Sequence, residues 1–170
     1  MGQYYKPVNL DKKESIYTHD YNSGLKLMEH SYLGNAVMNV VENLLSPVGD
    51  WYKCKLVWAG DYAEEEKQRH KNIYNLIEKK ITPIESKSFY RYIINHTKKL
   101  YIDKDKIKED EDSTGLKIHP LSLLTCEGNG RGGGDYYKED IRIGNWSRNV
   151  ISVENKIPKN YNEINGQFYE

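Results

Sequence analysis

Apolar residues recur along this chain with two periods, and the switch between them separates strands from helices. Before residue 34 the runs are short and alternating. "QYYKPVNL" (3–10), "ESIYTHDY" (14–21) and "LKLMEHSYL" (25–33) are broken by the turn-prone "DKK" and "NSG", a pattern that predicts β-structure. Pro7 cannot donate to a ladder and marks an edge strand or a strand end. In "GNAVMNVVENLLSP" (34–47), Val37, Val40, Val41, Leu44 and Leu45 repeat at helical spacing, with Asn35 as N-cap and Pro47 as stop. "WYKCKLVWAG" (51–60) returns to period two, with Tyr52, Cys54, Leu56 and Trp58 on one face and Lys53 and Lys55 on the other. A second helix is expected from Tyr62 to Lys80. Asp61 and Glu64 would open it as a capping box, and Ile73, Leu76 and Ile77 would form its buried stripe.

Further on, "SFYRYIINHTKKLYIDKDKI" (88–107) reads as a hairpin turning near "NHTK", and the charged stretch from Asp103 to Asp112 as a solvated loop. "SLLTCEG" (122–128) reads as a short strand and "DIRIGNWSRNVISVENKI" (140–157) as a final strand pair. From Pro158 onward the residues are polar and read as a weakly structured tail. The sum is a single α+β domain over residues 1–157, a mostly antiparallel sheet with two helices packed on one face.

Composition narrows this picture. Tyr occurs 15 times and Phe twice, which predicts a thin core rimmed with rings whose hydroxyls stay bonded or wet. Basic and acidic residues balance at 25 each, so general nucleic-acid binding, which requires a local cationic excess, is disfavoured. Cys54 and Cys126 form no CxxC pair, and no run of 18 apolar residues exists. Both features point to a soluble, cytoplasmic chain with reduced thiols and no membrane contact.

Candidate chemistry gathers at two places. The first is "EGNGRGGGDYYKED" (127–140), in which Gly128, Gly130 and Gly133 satisfy G-x-G-x-x-G. A dinucleotide site also needs a helix to begin on that loop, and "GDYYKEDIRIGNW" is a poor helix, so no cofactor is expected. What survives is an anion-binding loop. Gly128, Asn129, Gly130, Gly132, Gly133 and Gly134 would supply amides, Arg131 a bidentate charge, and Asp135 a flanking carboxylate. Trp146 and Arg148 would stand nearby as contact residues. Glu127, at a strand end beside this loop, is the first candidate for a general base.

The second place is "YTHDYNSGLKLMEH" (17–30). If Ser23 and Gly24 form a two-residue turn, Tyr17 pairs with His30 and His19 with Met28. His19 and His30 then lie diagonally on one face as candidates for acid–base work. A one-residue slip would set His19 opposite Glu29 instead. No third ligand accompanies the two histidines, so no metal site is expected.

"GQYYKP", "THDYNSGLKLMEHSYLGN", "VWAGDYA" and "GNGRGGGDY" together resemble a group of small uncharacterised proteins from low-GC Gram-positive bacteria and their phages. That resemblance carries no activity and no catalytic residue. It implies a phage or mobile-element accessory protein. The expected function is a non-catalytic binding protein that binds and inhibits a host defence component, with another protein as partner. The alternative is a small enzyme that holds a phosphate-containing nucleotide or nucleic-acid substrate on Arg131 and moves protons with His19, His30 or Glu127.

Overall fold

A computed structural model describes residues 2–111, 115–129 and 133–170. In chain order its strands and helices are β1 (Tyr5–Asn9), β2 (Glu14–Ser15), α1 (Leu27–His30), α2 (Ala36–Leu45), β3 (Cys54–Gly60), α3 (Ile73–Leu76), β4 (Tyr92–Asn95), β5 (Leu100–Asp103), α4 (Pro120–Thr125), β6 (Cys126–Glu127), β7 (Val150–Glu154) and β8 (Asn162–Glu163). The strands form one sheet in the order β2-β1-β3-β7-β4-β5-β8, with β6 beside β3. Pairing is antiparallel except for β3 with β6 and β5 with β8. The class is α+β. Among the described residues no helix is long and apolar enough to cross a membrane.

β3 is the axis of the sheet because its alternation serves two cores. Cys54, Leu56 and Trp58 enter the larger cluster, together with Val37, Met38, Val41 and Leu45 of α2 and Leu121, Leu123 and Leu124 around α4. Val57 and Ala59 point the other way and meet Val8, Ile73 and Ile77 in a smaller cluster. A strand's successive side chains lie on opposite faces, so α2 and α3 cover opposite faces of β3 instead of sharing one. All three tryptophans are buried, and each fully buried large side chain contributes about 1.5–3 kcal/mol.

Several elements form as the spacing predicts. Asn35 Oδ1 accepts from Val37 N at 2.9 Å and caps α2, whose last residue, Leu45, precedes Pro47. β4 and β5 make the expected hairpin, with Asn95 paired to Leu100 and Lys98 N bonded to Asn95 Oδ1 at 2.9 Å. Pro7 lies on β1 opposite Trp58. The bond from Leu10 N to Lys55 O sets the alternation so that Pro7 falls at a non-bonded position towards β3, and towards β2 its carbonyl accepts from Ile16 N at 3.1 Å while the reciprocal donor is missing.

Several expectations are corrected. Residues 17–30 are not a hairpin. A 3-10 turn at Thr18–Tyr21 ends on left-handed Asn22, and α1 then buries Leu27 and His30, three residues apart, on one side. The helix expected over 62–80 shrinks to α3. Between Ala63 and Ile73 the chain has only polar side chains to offer a helix face, and it reverses at left-handed Gln68 and His70. Asp61 does not cap that helix; its Oδ1 accepts from Tyr4 N at 2.9 Å.

"SLLTCEG" is mostly helix. His119 caps α4, Pro120 suits its first turn, and the strand is only β6. Of the proposed last strand pair only β7 forms, and residues 141–148 are turns. The expected solvated loop after Asp103 buries Ile107 and Asp110, and Asp112 lies outside the described residues.

The segment from Pro158 is also not a loose tail. It contributes β8 to the sheet, buries Phe168 in the larger core, and brings Tyr169 O to the Tyr136 hydroxyl. Phe168→Ala is therefore expected to cost about 3 kcal/mol or more of unfolding free energy, read from a urea melt. A change below about 0.5 kcal/mol would mean that the end of the chain does not dock.

Candidate functional site

The glycine-rich loop is built as a closed excursion from β6. Asn129 closes its base by taking both sides of Tyr136: Asn129 Nδ2 donates to Tyr136 O at 2.8 Å, and Tyr136 N donates to Asn129 Oδ1 at 2.8 Å. Gly128 and Gly134 are left-handed, and a Cβ would drive Gly128 into the Gln3 carbonyl and Gly134 into the Lys26 side chain. Gly130, Arg131 and Gly132 lie outside the described residues, so the anion-holding role expected of Arg131 falls outside them too.

The loop does meet the 17–30 segment. Met28 N donates to Gly134 O at 2.8 Å, and Lys26 packs over Gly134 with its ammonium 3.9 Å from where a Gly133 Cβ would stand. The histidines of that segment do not join this contact. His19 is exposed beside the Tyr17 ring.

His30 is wholly buried and stacks on Trp58, with ring centroids 5.8 Å apart. Indole N–H can only donate, so the 2.9 Å bond from Trp58 Nε1 makes His30 Nε2 an acceptor. The proton therefore sits on Nδ1 and is donated to Gly24 O at 2.8 Å. Burial outweighs these contacts and lowers the His30 pKa to about 4. This histidine is a neutral core connector.

Glu127 and Arg148 form a clamp. Arg148 Nε and Nη2 bond the two Glu127 oxygens at 2.8 and 2.9 Å, Ser147 Oγ also donates to Glu127, and Arg148 Nη1 reaches Glu66 Oε1 at 2.5 Å. Burial alone would raise the Glu127 pKa, but the Arg148 fork and the Ser147 hydroxyl outweigh it and hold the group below its ordinary value. Arg148 thus ties β6, the 61–72 segment and the turn before β7 together. Its charge is committed to two carboxylates.

Asp135 is 2% exposed and accepts from Gln3 Nε2 at 2.8 Å. Burial first and Asp135 second raise the Tyr5 hydroxyl far above its ordinary value, and the same two causes push the Cys126 thiol up to about 12. Trp146 is 2% exposed within the larger core and offers no face for stacking.

A second constellation was not anticipated from the sequence. Glu42 sits four residues after Met38 and three before Leu45, on the buried side of α2. Its Oε1 takes the Lys104 ammonium and, at 3.0 Å, the Ser88 hydroxyl, while its Oε2 takes His119 Nε2 at 3.0 Å. Leu121 N donates to His119 Nδ1 at 3.2 Å, so His119 is neutral and carries its proton on Nε2. Burial lowers the His119 pKa despite Glu42. Glu42 is itself raised by burial, then brought below its usual range by His119 and Lys104.

Above this network lies a cleft of about 610 Å³. One wall is the strap of residues 81–91, which crosses α2 by hydrogen bonds from Asn39 to Glu85 and from Asn43 to Ser86. Lys87, Arg91, Lys104 and Lys117 line the cleft against Glu42 and Asp105. Arg91 is held by Asp103 at 2.9 Å and Asp105 at 3.3 Å. Among the described residues Lys87 and Lys117 stand in no ion pair. Phe89 and Ile84 on the strap are 81% and 95% exposed. His19, His30 and Glu127 do not line this cleft. The lone carboxylate inside "VMNVVENLL" is the sequence signal that could have pointed here.

No protein-family model, curated protein or solved structure matches this chain.

Two expected outcomes test this geometry. Glu42→Ala leaves the half-buried Lys104 without its counter-charge and should cost about 3–5 kcal/mol, whereas the joint Glu42→Met, Lys104→Met change should recover most of that loss in urea melts. His30, with a folded pKa of about 4 against an unfolded value of 6.5, binds its proton more readily in the unfolded chain between those two values. Its contribution, on the order of 3 kcal/mol, is present above about pH 6.5 and lost as pH falls towards 4. An NMR titration of the imidazole should find it neutral at pH 5.5; protonation near its ordinary value would contradict the buried geometry.

Proposed function

We propose that the protein is a non-catalytic binding protein and that the strap and the cleft behind it are its contact face. The observation that carries this reading is the contrast between committed and uncommitted groups. His30 and Glu127 are already bonded at the atoms that would take a proton, and Arg148 and Trp146 are occupied inside the fold. Lys87 and Lys117 are exposed and without ion pairs, next to exposed Phe89. An acidic side chain of a protein partner would enter the cleft between the two lysines, while Phe89 and Ile84 would pack on the apolar surface around it. Buried anchors of this kind carry most of the energy of protein interfaces.

The resemblance to small proteins of low-GC Gram-positive bacteria and their phages supports a narrower version. The partner is then a host component, with defence machinery the class to examine, and the protein is an accessory factor that inhibits it. The competing expectation, an enzyme acting on a phosphate-containing substrate, needs a base with a free acceptor; the geometry of His30 and Glu127 does not supply one, and of the three candidates only His19 is exposed.

The test is recovery of a stoichiometric partner from the cytosol of a matched host, followed by affinity measurement. Joint Lys87→Glu and Lys117→Glu should weaken that complex at least tenfold, by about 1.4 kcal/mol, and added salt should weaken the wild-type complex. Glu127→Gln should leave affinity unchanged. Turnover of a nucleotide or nucleic acid that disappears in Glu127→Gln or His19→Ala would overturn the reading.

A further inference from the structure

The face of β1 and β3 opposite α2 is only partly covered. Val8, Val57, Ala59, Ile73 and Ile77 bury one another there, but Leu10 and Leu76 remain part-exposed at the margin. These margins frame a second groove, of about 600 Å³, floored by Leu10, Ile73, Leu76 and Ile77. Its rim is polar and of one dominant sign. Lys13, Lys67 and Arg69 stand on it with no ion pair among the described residues, while its carboxylate, Glu66, is already held by Arg148 at 2.5 Å. The rim turn is closed on itself by Arg69 N to Glu66 O and Glu66 N to Lys71 O, at 3.1 and 2.8 Å.

We infer that this groove binds a small anionic amphiphile, a single acyl chain ending in a carboxylate, with the chain on the aliphatic floor and the head group at the Lys13, Lys67 and Arg69 rim. Two magnitudes favour this occupant over a partner protein. A stable protein interface buries about 800 Å² on each side, far more than a groove framed by one helical turn and two short loops can cover. A groove of about 600 Å³ falls within the usual range of roughly 300–1,000 Å³ for small-molecule sites. Charge complementarity selects the head group. An apolar floor cannot distinguish an acid from an alcohol, but three unpaired cations can. The inference is independent of the strap and the cleft, which lie on the α2 side of the sheet.

Titration calorimetry of the full chain with dodecanoate, kept below its micelle concentration, should give one-to-one binding. Dodecanol and butyrate should each bind at least tenfold more weakly, because each lacks one half of the recognition. Lys67 and Arg69 are exposed, so joint Lys67→Glu and Arg69→Glu should leave the thermal melt in place. That variant should lose at least tenfold in affinity for dodecanoate, with little change for dodecanol. Methyl NMR should place the largest shifts at Ile73, Leu76 and Ile77. Equal affinity for acid and alcohol, unchanged binding in the double variant, or shifts centred elsewhere would overturn the inference. So would binding of an acidic amphipathic helical peptide in the groove with no binding of dodecanoate.

Discussion

A carboxylate in the buried face of a helix must find donors or cost several kcal/mol, and Glu42 finds them in three separate parts of the chain. Lys104 follows directly on β5, His119 caps α4, and Ser88 lies on the strap. Because each partner is remote in sequence, the bonds fix α2 against the end of the sheet, the start of α4 and the strap at once. The His119 tautomer depends on the same network, since its Nδ1 must remain an acceptor for Leu121 N. The cleft inherits its shape from this arrangement: its floor is the network, and its wall is the strap that Ser88 helps to hold.

The Arg148 clamp plays a matching role beside β3. It joins β6 to the irregular 61–72 segment and to the turn before β7, and it uses a left-handed backbone to do so. A third cross-link, the hydrogen bond from Trp58 to His30, anchors α1 to the central strand. Many of the groups that looked chemically active are therefore structural cross-links. Among the charges left over, Lys87 and Lys117 on one face and Lys13, Lys67 and Arg69 on the other lie at the mouths of grooves. A protein with no net charge can still present two cationic openings, because Glu42 and Glu66, the glutamates that line them, are already engaged by Lys104, His119 and Arg148.

How far the chain was legible depends on whether its signals were local. α2 announced itself through Asn35, its apolar spacing and Pro47, all within fourteen residues, and it forms as expected. The β4–β5 hairpin was equally local. The 17–30 segment is ambiguous because "LMEH" satisfies alternation and helical spacing alike in so short a window. Leu27 and His30 resolve it as helix only because Trp58 and Gly24 O wait on the same side. "PLSLLT" has the same ambiguity, and the His119 cap decides it.

The candidate site was less legible still. Glu127, Asp135, Trp146 and Arg148 were picked out by type and neighbourhood, but whether each faces solvent or protein depends on residues far away, among them Gln3, Glu66 and Leu124. By itself the sequence determined the α+β class, the principal helix and one hairpin. These follow from side-chain period and backbone stereochemistry, which act over a few residues. Only the tertiary structure decided which charges were neutralised and which remained free. A charge's worth depends on burial and on partners brought together by folding across tens of residues, and no short stretch such as "EGNGRGGGDYYKED" can contain that information.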